Sequence, residues 1–199
     1  MSFYVKDFIK LALKQNIPSS RKLLLTEITD YIKSKIDNNQ EINLNFICTH
    51  NSRRSQLSQV WAKVASVYYG IEINSYSGGV QVTAFDERAI DSLVRSGFSI
   101  LSENSINPKF EISYLENENP IIAFSKIFDD DFNKADYFAA IMTCSDADEN
   151  CPHIAKAEKR IPLRYDDPKS HDDTLIESEK YDERSLQIAS EMFYVFSKI

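Results

Sequence analysis

The sequence predicts an α/β fold with three layers, in which a four-stranded parallel sheet carries helices on both faces. From residue 43 onward, short apolar runs alternate with segments of helical periodicity, which is typical of parallel strands joined by crossover helices. The chain has 199 residues, of which 43% are hydrophobic and 27% charged, so it is large enough to form a well-packed core. We therefore expect one α/β domain with additions.

Two additions to that domain are predicted. Residues 1–40 are helical in pattern and form an N-terminal extension, which leaves residues 41–199 for the α/β domain. Within the domain, "FEISY" and "IIAF" flank the polar "LENENP", so a β-hairpin insert is expected at about residues 107–125. The sequence contains no internal repeat and no linker rich in Pro, Gly or Ser.

The extension contains two segments with helical spacing of apolar residues. They cover residues 3–15 and about residues 21–36. Ser19 and Ser20 precede the second segment and are candidate N-caps, because a serine hydroxyl accepts hydrogen bonds from the first free N–H groups of a helix. The polar "DNNQ" that follows is expected to end this helix.

The elements of the α/β domain are predicted from its apolar patterns. Strands are expected at residues 43–48, 73–77, 137–143 and 160–163. Helices are expected at residues 55–69, 86–96 and 181–198. Gly78 and Gly79 are interpreted as the stop of the second strand, and Gly97 as the C-cap of the second of these helices.

The composition excludes several classes of function. The net charge of -7 argues against non-specific nucleic-acid binding, which needs summed positive charge. No apolar stretch reaches the roughly 20 residues of a membrane span, and the first residues lack a signal-peptide cleavage site. A cytoplasmic protein without a cofactor is therefore expected. Three cysteines in a reducing compartment are not expected to form a static disulfide framework.

The stretch "NFICTHNSRRSQ", residues 45–56, is the first candidate functional segment. An apolar strand ends in Cys48, and Arg54 and Ser55 follow just before a predicted helix. In open α/β sheets, chemistry collects at the carboxyl ends of strands. A loop wrapped around a helix N-terminus directs backbone N–H groups inward, which creates an anion site and stabilises a thiolate.

These residues suggest a nucleophile inside an oxyanion-binding loop. The planar fork of Arg54 suits two oxygens of a tetrahedral oxyanion, and Ser55 can donate a hydrogen bond to the thiolate of Cys48. Such a cysteine can attack a phosphorus or arsenic centre while the loop neutralises the oxygens. The alternative is a buried core thiol with a surface arginine. The predicted oxyanion-binding residues are Thr49, His50, Asn51, Ser52, Arg53, Arg54 and Ser55.

The segment "IMTCSDADENCPHI" contains the other two cysteines. Cys144 follows a predicted strand and is therefore expected at the same sheet edge as Cys48, with a mobile polar loop between Cys144 and Cys151. This arrangement suits a thiol relay, in which one thiolate attacks an adduct sulfur and the next resolves the disulfide. Two alternatives remain: a metal site that includes His153, although the spacing is wide for zinc, or two unreactive thiols.

A candidate acid lies in "RYDDPKS". Displacement of an oxygen by Cys48 needs a carboxylic acid that protonates the leaving group. Asp167, directly before Pro168, is the predicted acid, and Asp166 is expected to cap or orient. The alternative is a simple turn, since Asp-Pro is common at turns.

The motifs resemble one known superfamily. "CTHNSRRS" resembles the phosphate loop of the low-molecular-weight protein tyrosine phosphatases, a superfamily that includes the thioredoxin-coupled arsenate reductases, and "YSGG" is similar to the turn after its second strand. "CSDADENCP" is similar to the paired-cysteine stretch of those arsenate reductases. The resemblance covers about residues 45–104 and 135–168. It implies the phosphatase fold, with Cys48 as the nucleophile, Asn51 as the loop-shaping residue and Arg54 as the oxyanion clamp. It also implies that Ser55 donates to the thiolate and that Asp167 is the acid.

Two residues of the loop depart from the superfamily pattern. His50 stands where a glycine is usual, and a left-handed backbone there would strain it. Arg53 stands where a second loop cysteine is common, and it is expected to add positive charge near the mouth.

Taken together, the leading hypothesis is arsenate reduction by a Cys48–Cys144–Cys151 relay coupled to thioredoxin. The alternative is hydrolysis of phosphotyrosine or small phosphate monoesters through a Cys48 phosphoenzyme. A non-catalytic oxyanion-binding scaffold is a third interpretation, and the complete set of Cys48, Arg54 and Asp167 argues against it.

Overall fold

A computed structural model describes residues 4–150 and 154–199 of the chain. The strands are β1 Asn43–Cys48, β2 Asn74–Gly79, β3 Ser99–Ser102, β4 Phe110–Ser113, β5 Ile121–Ala123, β6 Phe138–Met142 and β7 Ala157–Ile161. The helices are α1 Lys6–Ala12, α2 Ser19–Asp37, α3 Arg54–Tyr68, α4 Glu87–Arg95, α5 Ser145–Asn150 and α6 Glu177–Phe196. Within this described part, no helix is long and apolar enough to cross a membrane.

The main sheet contains four parallel strands in the order β2-β1-β6-β7. This confirms the predicted α/β fold with a four-stranded parallel sheet. Cys48 lies opposite Gly79, and Ile47 lies opposite Met142, so the carboxyl ends of the three adjacent strands β2, β1 and β6 meet at one edge.

Helices cover both faces of the sheet, but unequally. Leu44 and Phe46 of β1 belong to a large core that also contains side chains of α2, α3 and α6. Ile47 belongs to a smaller core on the other face, which contains Ala147 of α5 and is completed by loop residues such as Phe128. The second face therefore depends on a short helix and a loop. Both features lie close to the sheet edge that carries Cys48.

Gly78 and Gly79 do not stop the second strand, as the sequence suggested, but form its end. A Cβ atom at Gly78 would overlap the backbone of Phe128, and one at Gly79 would lie 2.8 Å from the Asn51 nitrogen. The segment of residues 126–128 runs beside Gly79. The Gly79 N–H group donates to the Lys126 carbonyl at 2.8 Å, and the Gly79 carbonyl accepts from the Phe128 N–H group at 3.0 Å. The two glycines therefore permit close approach of two chain segments.

The insert is larger than the predicted hairpin. Strands β4 and β5 pair antiparallel, as expected within residues 107–125, and β3 adds a third antiparallel strand. The sequence did not indicate β3, because it has four residues and none of them is fully buried.

The N-terminal extension packs against the α/β domain. Both predicted helices are present, but Ser19 and Ser20 lie inside α2 rather than before it, and Pro18 occupies the N-cap without a side-chain hydrogen bond. The Phe8 ring stacks on the Trp61 ring of α3 at 4.9 Å between centroids. The buried residues of α1 and α2 belong to the same core as those of α3 and α6.

Candidate active site

The candidate site is the loop that connects β1 to α3. Cys48, the last residue of β1, is buried, as is Cys144, which follows β6. The Thr143 N–H group donates to the Ile47 carbonyl at 2.7 Å, so the chain that leads to Cys144 continues beside the end of β1. The two cysteines therefore lie at the ends of neighbouring strands, which are spaced about 5 Å apart in a sheet.

The backbone of this loop directs its carbonyl groups away from the site. The six carbonyls from Cys48 to Arg53 all accept hydrogen bonds from surrounding groups; the donors include, in that order, Val80 N, Gln81 N, Ser125 Oγ, Gln56 Nε2, Asp86 N and Leu57 N. In contrast, no N–H group from Thr49 to Ser55 donates to an acceptor within the described residues. An arc of free N–H groups at a helix N-terminus is the arrangement that binds an oxyanion.

Asn51 fixes the shape of the loop. Its backbone is left-handed, with φ of 48°, whereas the sequence predicts this conformation at His50. Asparagine adopts the left-handed region more readily than most residues, so the backbone strain expected at His50 does not arise. The Asn51 side chain accepts from the Lys126 N–H group at 3.0 Å and donates to Ser55 Oγ at 2.8 Å.

The Ser55 hydroxyl lies 3.1 Å from the Cys48 sulfur. Since the Asn51 amide already donates to Ser55 Oγ, the hydroxyl hydrogen is free to point at the sulfur. The site therefore supplies a hydrogen-bond donor to a Cys48 thiolate, as the sequence predicts.

Arg54 lies beside the loop and is partly engaged by other residues. Its Nη2 atom donates to Asp167 Oδ2 at 2.7 Å, and Nη1 donates to the Tyr165 carbonyl at 3.1 Å. Its Nε atom is buried and has no hydrogen-bond partner within the described residues. A buried N–H group of a cation without an acceptor is costly, and an oxyanion in the loop is the group that would satisfy it.

The charge of Arg53 is paired with carboxylates, whereas the sequence predicts that it adds positive charge at the opening of the oxyanion loop. Its side chain is buried between two carboxylates, donating from Nη1 to Asp86 at 2.9 Å and from Nε to Asp167 at 2.9 Å. Asp86 in turn caps α4 through the N–H group of Arg88. The side chain of Arg53 therefore joins the loop to α4 and to the candidate acid.

Asp167 is positioned by both arginines. Burial acts to raise the pKa of its carboxyl group, but the charge of Arg54 and the hydrogen bond and charge of Arg53 outweigh burial and lower it. The Asp167 carboxylate also accepts from the N–H group of Lys169 and so caps a short 3₁₀ turn. The alternative interpretation of Asp-Pro as a turn therefore also applies to this residue. The Asp166 side chain is 97% exposed and lies 3.5 Å from Arg184, away from this pair.

Cys144 contacts the loop directly. Its sulfur lies 3.4 Å from Thr49 Oγ1, next to Cys48 in the chain, and accepts from the Ala147 N–H group at 3.3 Å. Thr49 donates its only hydroxyl hydrogen to Asp146 at 2.7 Å, so the Cys144 thiol is the donor in the contact with Thr49. Asp146 thereby also has a lowered pKa, first because of Thr49 and then because of Asn150.

The segment after Cys144 is helical, whereas its polar sequence predicts a mobile loop. Helix α5 is fixed at Asp148, which accepts from Arg160 at 3.2 Å and from Arg164 at 2.6 Å and 2.8 Å. No local pattern in the sequence pairs these arginines with α5. Cys151 and His153 lie outside the described residues, so the relay and the metal alternative remain predictions at these positions.

Lys126 supports the loop, although no motif in the sequence indicates it. Its backbone holds Asn51, and its buried amine lies over the rings of Phe124 and Phe132, at 4.7 Å and 5.6 Å from their centroids. Burial lowers the pKa of Lys126 to about 8, and the charge of Asp130 opposes this shift. No local motif marks such a lysine, because its partner in the loop is 75 residues away in the chain.

Comparisons with known proteins agree with this geometry. No protein-family model matches the chain. Over 123 residues, or 62% of the chain, it is 31% identical to arsenate reductase 2 of Staphylococcus haemolyticus (strain JCSC1435), covering 76% of that protein. With the same coverage, it is 28% identical to an arsenate reductase of Staphylococcus aureus (strain Newman).

Among solved structures, the chain is similar to a low-molecular-weight protein tyrosine phosphatase from T. tengcongensis. The TM-score is 0.51 and the identity 16%, over 80% of this chain and 100% of that one. The fold is thus that of the low-molecular-weight protein tyrosine phosphatases. Within this class, the identity to the Staphylococcus haemolyticus enzyme shows that the chain belongs to the arsenate reductase family.

Proposed function

We propose that this protein is a thioredoxin-coupled arsenate reductase that works through Cys48, Cys144 and Cys151 in a reducing compartment, the cytoplasm. The observation that supports this most directly is the contact between the Cys144 sulfur and Thr49, 3.4 Å apart, because it places a second thiol at the oxyanion loop. Ester hydrolysis has no use for a thiol there. Membership of the arsenate reductase family supports the same conclusion.

The first step is attack of the Cys48 thiolate on arsenate. An S–As bond forms while an As–O bond breaks, and the departing oxygen takes a proton from Asp167 and leaves as water. The N–H groups of residues 49–55 and the Arg54 guanidinium hold the remaining oxygens.

The next steps transfer two electrons to arsenic. The Cys144 thiolate attacks the Cys48 sulfur, a disulfide forms, and the electron pair of the S–As bond stays on arsenic, which leaves as arsenite. Cys151 then attacks Cys144, which releases Cys48 as a thiolate and leaves a Cys144–Cys151 disulfide. The dithiol of thioredoxin reduces that disulfide by exchange.

Helix α5 has to open during the relay. A six-residue helix is about 9 Å long at a rise of 1.5 Å per residue. The Cα atoms of a disulfide lie within about 7 Å of each other, so a helix over the residues between the two cysteines has to unwind for the second disulfide to form.

Hydrolysis of phosphotyrosine or small phosphate monoesters is a second candidate function. It is favoured by the contact between Arg54 and Asp167, at 2.7 Å, because a clamp and an acid beside Cys48 are sufficient for ester cleavage without any further thiol. The N–H groups of the loop bind phosphate as readily as arsenate.

The two functions are separated by the cysteine variants. With arsenate, thioredoxin, thioredoxin reductase and NADPH, we expect wild-type protein to oxidise NADPH, and Cys144→Ser and Cys151→Ser to lose this activity. Both variants should retain aryl phosphatase activity, since hydrolysis needs neither thiol. Peptide mapping of Cys151→Ser after arsenate exposure should show a Cys48–Cys144 crosslink.

A different result from these assays would contradict the relay. If the wild type cleaves aryl phosphates rapidly and Cys151→Ser forms no Cys48–Cys144 crosslink with arsenate, the protein is a phosphatase and the relay is wrong.

A further inference from the structure

We propose that Arg21, in the first turn of α2 in the N-terminal extension, is a positioning residue for the candidate acid Asp167. The inference rests on the proposed function, because it assumes that Asp167 gives a proton to a leaving oxygen. It assigns a role in the reaction to an extension that lies outside the matched superfamily motifs. Arg21 itself does not contact the oxyanion loop.

Arg21 contacts two residues of the segment before Asp167, namely Arg164 and Tyr165, and its guanidinium is held by Glu191 of α6. Its Nε and Nη2 atoms donate to the two carboxylate oxygens of Glu191, at 2.9 Å and 2.6 Å, and Nη1 donates to the Arg164 carbonyl at 2.9 Å. The guanidinium also lies over the Tyr165 ring, 4.9 Å from its centroid. The side chains of Arg21 and Glu191 are only 18% and 2% exposed, so solvent screens this pair weakly.

Tyr165 transmits this restraint to the site. Its hydroxyl donates to Glu191 at 2.8 Å, and its own N–H group donates to the Thr143 carbonyl at 3.1 Å. Its carbonyl accepts from Arg54 at 3.1 Å, and Arg54 donates to Asp167 at 2.7 Å. Two contiguous routes therefore lead from Arg21 to the acid: the backbone from Arg164 to Asp167, and the hydrogen bonds through Tyr165 and Arg54.

The same helix provides a matched control. Near the other end of α2, Lys35 donates to Glu158 at 2.6 Å, and Tyr31 donates to the same carboxylate at 2.8 Å. This ion pair joins the extension to β7 but does not contact residues 164–167. A variant at Lys35 therefore weakens the docking of α2 without touching the acid.

The positioning role has a kinetic signature. As the P–O bond of an ester breaks and the Cys48 S–P bond forms, the proton of Asp167 moves to the ester oxygen, which matters most for poor leaving groups. We expect Arg21→Met to lower kcat/KM for phenyl phosphate by roughly tenfold and for 2,4-dinitrophenyl phosphate by less than about twofold. Lys35→Met should change both values by less than about twofold.

A double-mutant cycle tests the same role independently of the substrate. If Arg21 acts through Asp167, Arg21→Met should have almost no further effect in an Asp167→Asn background, with either phenyl phosphate or arsenate. If Arg21→Met unfolds the chain, as judged by circular dichroism, Tyr165→Phe replaces it, because that variant removes the hydroxyl bond to Glu191 and keeps the ring. The same selective loss for phenyl phosphate, smaller in size, is expected.

The inference is overturned if Arg21→Met slows both esters equally, if it matches Lys35→Met, or if its effect adds in full to that of Asp167→Asn. A wild type that neither cleaves these esters nor reduces arsenate would instead overturn the proposed function.

Discussion

At the scale of single residues, Arg53 changes the protonation of Asp167. Two guanidinium groups contact this carboxylate, with Arg53 at 2.9 Å and Arg54 at 2.7 Å. Together they lower the pKa of Asp167 despite its burial. The acid form of Asp167 is therefore the minor species at neutral pH, and we expect an oxyanion bound by Arg54 to favour it, because the anion would offset the charge of that cation.

We expect kcat/KM for phenyl phosphate to fall as the pH rises, because the protonated fraction of Asp167 falls as the pH passes its pKa. Arg53→Met removes one of the two cations, which raises the pKa of Asp167 and moves this descending limb to higher pH. A pH–rate profile checks this. Arg184→Met, which affects the exposed Asp166, is the control and should not move the limb. An unmoved limb in Arg53→Met would show that Asp167 does not set it.

Lys126 makes the stability of the fold depend on pH. Its pKa is about 8 in the folded state against 10.5 ordinarily, because burial disfavours the charged amine. Between these two pH values the unfolded chain binds a proton that the folded chain does not, so the free energy of unfolding rises with pH in this window. Below about pH 8 both states are charged, and the penalty for burying the charge is constant.

Lys126→Met should therefore raise the free energy of unfolding at pH 7, by up to about 3 kcal/mol, since the pKa falls from 10.5 to about 8 and one pKa unit corresponds to about 1.4 kcal/mol. It should also flatten the rise between pH 8 and 10.5. Urea unfolding at pH 7, 8.5 and 10 measures both effects. Lys109→Met is the control, since Lys109 faces the same rings from an exposed position. A less stable Lys126→Met with an unchanged pH slope would contradict the argument.

At the scale of elements, α5 is held in place by its side chains, and in the proposed relay it has to move. Asp146 ties this helix to the oxyanion loop, and Asp148 ties it to Arg160 and Arg164. The proposed relay requires this helix to open, and we expect the ion pairs at Asp148 to oppose the second disulfide exchange. Because these ion pairs hold a single six-residue helix, we expect α5 to open by local unfolding while the strands of the sheet stay paired.

Asp148→Asn should speed formation of the Cys144–Cys151 disulfide after one arsenate turnover. The uncharged amide binds the two arginines less strongly, so α5 opens more often. Alkylation of the free thiols at timed intervals, followed by peptide mapping, measures the rate. Glu149→Gln on the same helix is the control, because Glu149 is exposed and accepts from Arg164 alone among the residues that the structure describes. An equal or slower rate in Asp148→Asn would mean that this clamp does not limit opening.

At the scale of the whole molecule, the extension and the domain share one core. Phe8 stacks on Trp61, and the Tyr4 N–H group donates to the Tyr114 carbonyl beyond β4, at 3.0 Å. The same large core contains Leu25 of α2 and Phe193 of α6. We therefore expect the extension and the domain to unfold in a single transition.

A pair of leucines on α2 tests this expectation. Leu25 is fully buried and Leu23 is 73% exposed. Leu25→Ala should lower the free energy of unfolding by about 2–5 kcal/mol, whereas Leu23→Ala should change it by less than about 0.5 kcal/mol. Urea unfolding followed by Trp61 fluorescence and by circular dichroism should give coincident transitions for both variants. Two separate transitions would show that the extension folds independently.

The sequence by itself determined the strands, the helices and the short loop at Cys48. The strand that ends in Cys48, the polar loop and the helix behind it are specified by consecutive residues, so local pattern sufficed to predict them. The alternation of strands and helices gave the parallel sheet in the same way. The contact between Ser55 and Cys48 was also predictable, because the two residues lie at either end of one short loop, only seven positions apart.

Only the tertiary structure decided which charges and backbone groups meet. The partners of Arg53 lie 33 and 114 residues away, and Arg21 meets Glu191 across 170 residues, so no local pattern could pair them. The same holds for α5, whose polar sequence suits a loop until Arg160 and Arg164 fix it as a helix. The physical reason is that a sequence gives the charge of a side chain, but the fold sets its distance to other charges, and that distance determines the energy of their interaction.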